Sequence, residues 1–442
     1  MDLKPEIFIS IASYRDPELI PTLLDLIEKA TTAQLNITVC WQDEGDLSPF
    51  MKAGMVLNET SVQATHDLFH FSYSGVSVRV ISVHYYFSQG ACWARSLCES
   101  QYQNEHYFLQ IDSHCRFPEG WDNDMITMLE QLKKESGKPV ISSYPPGYAP
   151  ETEPKRADYV SRLVFRGFSN EGILQLTSTP VQASAPLRGS YLAAGFIFAE
   201  GEFVSDVPND PTIFFEGEEI AMTARAFTHG YDVYYPHKIL LWHFYGRKNN
   251  NKVWSDHNNE AKENGSINQV WWERDKKSKK RVRALLGMEE ESTAGRYSLG
   301  NIRTLEDFEY AIGVDFSKRQ VVPEVLQGPR KAFFANHNCS RSDWKKKLVS
   351  VYTRELNLTR SETDFIRKEI SWLFIGIYTE QNDLLESLRF SEDQINKVID
   401  KAGKNKPCVT LKFTTKTSLT PHTIRVCPYL SQGWGFIREE RW

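Results

Sequence analysis

Apolar runs alternate with amphipathic segments along the first part of the chain. The runs are short and rich in β-branched or aromatic residues, as in IFISIA (7–12), NITVCWQ (36–42) and HYFLQI (106–111), and such runs are typical of buried strands. Apolar residues at helical spacing follow in segments such as 17–30 and 119–135. For the first of these, Asp16 is the predicted N-cap and Pro17 the predicted first helical residue. This alternation predicts an α/β domain whose central sheet is mainly parallel and carries helices on both faces.

The middle of the chain continues the alternation and then becomes polar. Residues 216–229 have helical spacing and are followed by Gly230, which predicts a helix with a glycine stop. The runs 231–236 and 239–247 predict two further strands. The polar stretch 248–330 is predicted to wrap around the core as loops and short helices.

A basic stretch at 330–348 precedes a region of different character. There LVSVYTREL and CVTLKFTTKT (408–417) predict strands, and a mixed helical region is predicted between them. We therefore predict one large α/β domain at 1–330 and a smaller domain of mixed α/β or β-rich structure at 331–442.

The composition is that of a folded protein, with 442 residues of which 41% are hydrophobic and 25% charged. The net charge of −5 gives no reason to expect a nucleic-acid partner. The basic run at 276–283 is a local exception. A solvated helix face or a loop near an anionic substrate is its favoured interpretation, and nucleic-acid binding is the alternative.

The seven cysteines form no C-x-x-C pair, so neither a zinc ribbon nor a disulfide framework is predicted. No apolar run approaches the roughly eighteen residues that a membrane span needs, and the segment MDLKPEIFIS lacks the layout of a signal peptide. We therefore expect a cytoplasmic protein without a membrane span.

An acid and a histidine stand two residues apart where HYFLQI ends, in the sequence QIDSHCR. If the extended geometry continues, Asp112 and His114 point to the same side. A carboxylate and an imidazole suit Mn²⁺ or Mg²⁺ with positions left for substrate oxygens, and His243, at the end of another apolar run, is the predicted third ligand. The alternative is that Asp112 caps a turn and His114 makes an ordinary buried hydrogen bond.

The two commonest phosphate-binding loops are missing from the sequence. No G-x-G-x-x-G follows the first strand, and no G-x-x-x-x-G-K-[ST] occurs in the chain. A bound diphosphate would therefore have to be neutralised by a metal ion or by basic side chains. Four arginines near predicted strand ends or helix starts suit that role, although each could equally form a surface ion pair: Arg15, Arg95, Arg116 and Arg247.

Acidic residues open the predicted helix at 216–229. Glu216, Glu218 and Glu219 could simply be stabilised by the helix dipole, or an acid there could accept a substrate hydroxyl or stabilise a developing positive charge. Three tryptophans could stack on a sugar, with buried packing as the alternative: Trp254, Trp271 and Trp272.

Several blocks of the sequence, in this order and spacing, resemble one family. The blocks are IFISIASYRDPEL, ITVCWQDE, GACWARSLC, HYFLQIDSHCRFPEGWD, LAAGFIFAEG, FFEGEEIAMTARAFTHGYDVYYP and LLWHFYGR. They resemble the cytoplasmic N-acetylglucosaminyltransferases that modify hydroxyproline on a ubiquitin-ligase subunit, together with their bacterial relatives, over about residues 6–320. Asp-Ser-His-Cys is also similar to the metal motif of the mucin-type polypeptide N-acetylgalactosaminyltransferases.

The resemblance implies a GT-A glycosyltransferase fold, a retaining transfer, and a divalent metal that bridges the enzyme and a UDP-sugar. Carried over to this chain, it implies that Asp112, His114 and His243 hold Mn²⁺ or Mg²⁺, and that Glu218 or Glu219 faces the sugar and the acceptor. It implies a donor site formed by Ser13, Tyr14, Arg15, Gln42, Asp43, Arg95, Asp112, Ser113, Tyr245 and Arg247.

Two departures leave points open. Phe215 and Glu216 stand where the mucin-type block has its tryptophan and first glycine, so the choice between Glu218 and Glu219 stays open. Residues 331–442 do not resemble the lectin of that family, and acceptor binding and homodimer formation are their alternative roles.

The expected function is transfer of N-acetylglucosamine from UDP-GlcNAc to a hydroxyl of a protein or glycan. The alternatives are a transferase for another UDP-sugar such as UDP-GalNAc, a non-catalytic glycan- or protein-binding module on the same fold, and a metal-dependent hydrolase of phosphate esters. Because hydrolysis competes with transfer, a loop at 247–260 is expected to close over the site.

Overall fold

The computed structural model describes residues 4–152, 156–247, 250–290, 295–327, 340–359, 362, 370–402, 406–416 and 418–442. These residues divide into two compact units. The first comprises the described residues up to Arg166, then Ile173–Ile312 and Gln327; the second comprises Gly167–Gly172, Gly313–Leu326 and the described residues from 340 onwards. The boundary predicted between 330 and 331 lies outside the described residues and stays a prediction.

Strands and helices are interspersed along the chain as far as residue 312. The strands are β1 (Glu6–Tyr14), β2 (Gln34–Asp43), β3 (Val56–Val62), β4 (Asp67–Tyr73), β5 (Val76–His84), β6 (Tyr107–Asp112), β7 (Cys115–Arg116), β8 (Pro139–Ser142), β9 (Val160–Phe168), β10 (Leu174–Val181), β11 (Leu187–Arg188), β12 (Phe196–Glu200), β13 (Asp232–Tyr235) and β14 (Trp242–His243). The helices are α1 (Leu19–Glu28), α2 (Ser48–Lys52), α3 (Ala91–Glu99), α4 (Trp121–Leu132), α5 (Phe203–Asp206), α6 (Glu218–Thr228), α7 (Val253–Asp256), α8 (Asn259–Glu263), α9 (Trp271–Leu285) and α10 (Leu305–Ile312).

Ten of the described strands form one sheet in the order β11-β13-β8-β12-β6-β1-β2-β5-β4-β3. The central strands β6, β1, β2 and β5 are parallel neighbours, and β8 and β13 are also parallel. Strands β4 and β12 run antiparallel to their neighbours. The predicted α/β class with a mainly parallel central sheet is confirmed.

The core lies on the faces of this sheet. Helix α1 turns Leu19, Leu23 and Leu26 towards it, and each is at most 2% exposed. Burying one such side chain stabilises the fold by about 1.5–3 kcal/mol, so the amphipathic spacing in the sequence is sufficient to dock the helix. Helix α4 buries Trp121 and Leu129 in the same cluster.

The start of α1 differs from the prediction, because the helix begins at Leu19 rather than at Pro17. The carbonyl of Asp16 accepts a hydrogen bond from the Leu19 N–H at 3.3 Å, and its Oδ1 accepts one from the Glu18 N–H at 3.1 Å. These bonds form a turn ahead of the helix, and they leave the second carboxylate oxygen of Asp16 available for another partner.

The strand predicted at 239–247 is wrong in extent, since only Trp242–His243 form a strand, paired antiparallel with Cys115–Arg116. The chain around it is held by separate bonds instead of a ladder: the His243 N–H donates to the Pro146 carbonyl, and the Phe244 N–H donates to the His114 carbonyl. Leu240 and Leu241 are buried in the core cluster of the sheet without forming a strand, and an apolar run in the sequence does not distinguish such a segment from a buried strand.

The second unit contains two antiparallel sheets. Its strands are β15 (Val314–Asp315), β16 (Gln320–Val321), β17 (Val349–Asn357), β18 (Ile370–Tyr378), β19 (Leu384–Ser391), β20 (Cys408–Lys416), β21 (Thr423–Leu430), β22 (Gly433–Trp434) and β23 (Arg438–Arg441). Its helices are α11 (Pro323–Leu326), α12 (Arg341–Lys347) and α13 (Glu392–Ala402).

The mixed helical region predicted between LVSVYTREL and CVTLKFTTKT is wrong over 370–391 and correct over 392–402, whereas 360–361, 363–369 and 403–405 lie outside the described residues. Strands β18 and β19 pair there, and α13 is the helix that follows them. Leu373, Ile375 and Ile377 of β18 alternate inward into a core cluster, a period of two that defines a half-buried strand.

Candidate active site

A cleft of about 550 Å³ opens at the carboxyl ends of β1, β2 and β6, next to the first turns of α3 and α6. Ligands of open α/β sheets bind at such strand ends. The cleft lining includes most of the predicted site residues: Tyr14, Gln42, Arg95, Asp112, Ser113, His114, Glu218, Glu219, His243, Tyr245 and Arg247.

Asp112, His114 and His243 converge in this cleft. One potential ligand atom from each lies within 4.8 Å of the other two. Nε2 of His243 is 3.1 Å from Oδ2 of Asp112, and Nε2 of His114 is 3.9 Å from the same oxygen. The imidazole rings of the two histidines meet at 4.5 Å between their centroids. The sequence therefore predicted correctly which three side chains come together, while their role as ligands stays a prediction.

Local pairing brings these residues from distant positions. Strand β14 pairs with β7, and this pairing sets His243 opposite Cys115. The turn between β6 and β7 is held by Thr22, whose hydroxyl donates to the Ser113 and Cys115 carbonyls at 3.0 and 3.1 Å and accepts from the Cys115 N–H. A side chain of helix α1 thus holds the backbone on both sides of His114.

The protonation states favour cation binding. Burial alone would raise the pKa of Asp112, but the hydrogen bond from His243 and the charges of His114 and Arg95 outweigh burial and hold that pKa well below its usual value. Burial lowers the pKa of His114, despite the opposing effect of its hydrogen bond to Asp16. An ionised carboxylate and a neutral imidazole are the forms that bind metal ions.

The donor set and the space around it fit a divalent cation. One carboxylate oxygen and two imidazole nitrogens match the ligand preferences of Mn²⁺ and related ions. Gly195 faces the carboxylate so closely that a Cβ on it would lie 2.7 Å from Oδ2 of Asp112. A residue without a side chain is therefore needed there to leave the oxygen accessible.

Gly195→Ala tests that fit. Because Gly195 does not have a positive φ, alanine strains the site through contact with Asp112 alone, and we expect Mn²⁺ affinity and turnover to fall about 10- to 100-fold. Isothermal titration with Mn²⁺ measures the affinity. Gly137→Ala is the matched control, because a Cβ there has no neighbour within 4 Å. Equal affinities for both variants would contradict the prediction.

Arg95 joins the predicted metal ligands to the acids of α6. Its Nη2 donates to Oδ1 of Asp112 at 3.1 Å, and its Nη1 donates to Oε2 of Glu218 at 3.0 Å. The Cys92 thiol also donates to Oε2 of Glu218, at 3.1 Å. The guanidinium is 4% exposed, so it acts as a buried cation between two carboxylates.

Glu219 has a different environment from Glu218. Tyr144 donates its hydroxyl to Oε2 of Glu219, and the Ala194 N–H donates to Oε1 at 3.1 Å. Burial raises the pKa of Glu219 to about 7, and these hydrogen bonds oppose the rise. Burial also raises the pKa of Glu218, against the charge of Arg95. Two acids at one helix start thus face the cleft with different partners.

The raised pKa of Glu219 makes folding stability depend on pH. The folded protein keeps this proton up to about pH 7, whereas an unfolded glutamate loses it near 4.5, so this residue lowers the free energy of unfolding as pH rises between these values. The glutamine in Glu219→Gln has no ionisable group. The free energy of unfolding of this variant, relative to that of the wild type, should therefore rise by on the order of 2 kcal/mol from pH 5 to 8. Urea denaturation across this range measures the difference. Parallel pH profiles would refute the assignment.

Three predicted donor residues do not line the cleft: Ser13, Arg15 and Asp43. Ser13 is buried, and its carbonyl accepts from Nε2 of Gln42 at 3.1 Å. Arg15 and Tyr14 both bond to Asp256 of α7, at 3.1 and 2.8 Å. Ser13, Arg15 and Asp43 lie next to the strand ends that border the cleft, but their donor-binding role stays a prediction.

The segment predicted to close over the site contributes to the cleft. Asn251, Lys252, Val253 and Trp254 line it, whereas residues 248–249 lie outside the described part of the chain. The Trp254 ring meets Phe215 at 5.6 Å between centroids, and both are more than 40% exposed. Trp271 and Trp272 do not belong to the lining.

Several side chains at the site were not predicted from the sequence. Tyr144 contacts Glu219, Cys92 contacts Glu218, and Asp256 fixes Tyr14. Asp16 was interpreted only as a helix cap, yet its Oδ2 lies 2.8 Å from Nδ1 of His114. The Asp-Pro pair directly after the first strand was the available signal for Asp16. Arg116, one of the four candidate arginines, pairs with Glu18 at 2.7 Å and does not line the cleft.

The strand ends of this α/β domain carry a candidate metal centre, buried acids and arginines. These are features of an enzyme that acts on a negatively charged substrate. A family model described as Glycosyltransferase (GlcNAc) matches residues 6–318. The chain belongs to this family and is a glycosyltransferase. No curated protein matches the chain.

Similar solved structures include the crystal structure of GalNAc-T7 with UDP, GalNAc and Mn²⁺, at 15% sequence identity and a TM-score of 0.42. That match covers 70% of this chain, which spans only 55% of the GalNAc-T7 chain. The crystal structure of S. aureus TarS is 10% identical with a TM-score of 0.36, over 99% of this chain and 77% of TarS. Both TM-scores lie below 0.5, so neither likeness defines the fold or the chemistry of this chain.

Across the described residues, every helix is too short or too polar to span a lipid bilayer.

Proposed function

We propose that the protein transfers N-acetylglucosamine from UDP-GlcNAc to a hydroxyl of a protein or another glycan, with a divalent metal and with retention of the anomeric configuration. The convergence of Asp112, His114 and His243 within 4.8 Å, in the cleft of a Glycosyltransferase (GlcNAc) family member, carries this proposal. Mn²⁺ is the favoured ion, with Mg²⁺ as the alternative, because two of the three donors are imidazoles.

When bound by these side chains, the cation supplies positive charge that offsets the negative charge developing on the departing UDP. Arg247 adds a second positive group, since it lines the cleft beside His114. The carboxylates of Glu218 and Glu219 face the same cleft, where they can stabilise positive charge that develops on the sugar ring. The chain's own residues thus place opposite charges where the two halves of the donor separate.

The acceptor hydroxyl must lose a proton during transfer. Glu219, whose partners are neutral donors and whose pKa is raised to about 7, is better suited to accept it than Glu218, which Arg95 holds as an ion pair. In a retaining transfer the departing phosphate oxygen is the alternative acceptor of this proton.

The resemblance of the sequence blocks to one family supports a narrower proposal about the acceptor and the location. The protein is proposed to act like the cytoplasmic hydroxyproline N-acetylglucosaminyltransferases, and a cytoplasmic location is part of the proposal. The free thiols of the described cysteines are consistent with that location: Cys40, Cys92, Cys98, Cys115, Cys408 and Cys427. Acceptor binding and homodimer formation remain the two proposed roles for residues 331–442.

Release of UDP from a panel of nucleotide sugars, with Mn²⁺ and with chelator, tests donor and metal together. We expect turnover of UDP-GlcNAc that disappears on chelation. Preferred turnover of UDP-GalNAc would correct the donor, and Mn²⁺-dependent UDP binding without any turnover would favour a binding module. Release of phosphate from a simple ester, with no nucleotide sugar consumed, would favour the hydrolase. The anomeric configuration of the product, read by NMR, tests retention.

A further inference from the structure

Asp16 is a buried carboxylate that bonds to several groups of the site at once. Its side chain has 0% exposure. Oδ2 accepts from the Ser113 hydroxyl at 2.6 Å, lies 2.8 Å from Nδ1 of His114, and is 3.0 Å from Nη2 of Arg247. Oδ1 accepts from the Glu18 N–H at 3.1 Å. Both oxygens are therefore occupied, and Asp16 itself does not line the cleft.

The bond to His114 determines which ring nitrogen faces the cleft. An ionised carboxylate can only accept hydrogen bonds, so Nδ1 must carry the proton in this contact. Nε2 is then left with its lone pair, and this is the atom 3.9 Å from Oδ2 of Asp112. Carboxylates that bond to the outer nitrogen of a histidine in this way orient metal ligands and fix their tautomer.

The bond to Arg247 extends the effect to a second residue of the site. The guanidinium contacts both residues: its Nη2 is 3.0 Å from Oδ2 of Asp16, and its Nη1 is 3.4 Å from Nε2 of His114. One carboxylate therefore sets the position of a predicted metal ligand and of a cationic side chain in the cleft.

We propose that Asp16 is the positioning residue of this site: it holds His114 as the Nδ1–H tautomer with Nε2 directed towards Asp112 and His243, and it anchors Arg247 beside them. The inference rests on the proposed function, because it concerns the metal centre of the same cleft. The ring tautomer can be measured without turnover, so the two can fail separately.

The first test is the tautomer of His114 in metal-free protein labelled with ¹⁵N at histidine, with the signal assigned by its loss in His114→Gln. We expect a protonated Nδ1 and an unprotonated Nε2. A proton on Nε2 in the wild type overturns the proposal without the need for any variant of Asp16.

The second test is Asp16→Ala. This variant removes Oδ2, the oxygen that contacts both Nδ1 of His114 and Nη2 of Arg247. The ring then loses the carboxylate that keeps its proton on Nδ1, so the tautomer with the proton on Nε2 should become populated. We expect this change in the ¹⁵N spectrum together with a 10- to 100-fold loss of Mn²⁺ affinity by titration, as is typical when a group that orients a metal ligand is lost.

Asp122→Ala is the matched control. Asp122 is also a buried carboxylate, but it accepts from the backbone N–H groups of Thr31, Thr32 and Ala33, away from the cleft. Its variant should lose stability yet keep the tautomer of His114 and the Mn²⁺ affinity. If Asp16→Ala keeps the wild-type tautomer and a Mn²⁺ affinity within twofold of the wild type, Asp16 has only a structural role. If both variants lose Mn²⁺ affinity equally, the effect is general destabilisation and the proposal fails.

Arg247→Met separates the two contacts of Asp16. With Asp16 intact, this variant should keep the Nδ1–H tautomer of His114 while UDP affinity in Mn²⁺ falls at least tenfold. A change of tautomer in Arg247→Met would assign the positioning role to the guanidinium instead. If no nucleotide sugar is turned over while the tautomer and Mn²⁺ results hold, the positioning role survives and the proposed reaction does not.

Discussion

His114→Ala should lose about 100-fold or more of the Mn²⁺-dependent affinity for UDP, with a comparable loss of turnover. The variant removes one of three converging candidate ligands and leaves the Asp16 carboxylate buried without its imidazole partner. Equilibrium binding of UDP, measured in Mn²⁺ and in chelator, gives the metal-dependent part directly. The two His114→Ala values should be nearly equal.

His70→Ala provides the comparison, because His70 lies on β4 and outside the cleft lining. It should retain wild-type UDP affinity in Mn²⁺. A His114→Ala protein that still binds UDP more tightly in Mn²⁺ than in chelator, by the wild-type ratio, would remove this side chain from the metal centre.

Arg95→Met should affect both stability and activity. Loss of the guanidinium leaves the carboxylates of Asp112 and Glu218 in the site without their shared cation, and breaking a buried pair of this kind costs about 3–5 kcal/mol. Turnover should fall at least 100-fold, because both acids would shift towards their protonated forms. Urea denaturation and UDP release measure the two effects.

Arg79→Met separates the two effects. Arg79 is also buried and pairs with Glu105 at 3.5 Å, but it does not line the cleft. The Arg79 variant should lose stability to a similar degree while its folded fraction keeps normal UDP release. Equal specific activities of the two variants would show that Arg95 has no role beyond the fold.

The sequence predicted the parts of the site that follow strand ends. Asp112 and His114 were recognised because a polar pair directly after an apolar run must lie at the edge of the sheet. His243 was recognised for the same reason, although the strand assigned to 239–247 is reduced to Trp242–His243. Position relative to the sheet was thus predictable even where the length of the strand was not.

The supporting contacts were not predictable from spacing. Tyr144 reaches Glu219 from 75 residues away, and Asp16 reaches His114 from 98 residues away. A tyrosine or an aspartate near an apolar run has many alternative roles, and only the tertiary arrangement selects one. The same limitation applies to β18, whose inward Leu373 and Ile375 belong to a strand that local composition did not distinguish from a helix.

The long span of sequence between Asp112 and His243 has a consequence for how the protein matures. Asp112 and His243 are 131 positions apart in the sequence, so their approach closes a loop that contains α4, β8 and β12. A polypeptide emerging during synthesis cannot form this contact until both ends of the loop are available. The candidate ligands come together only in the folded chain. Added Mn²⁺ should raise the midpoint of thermal unfolding of the full chain, because a ligand that binds only the folded form stabilises that form by mass action.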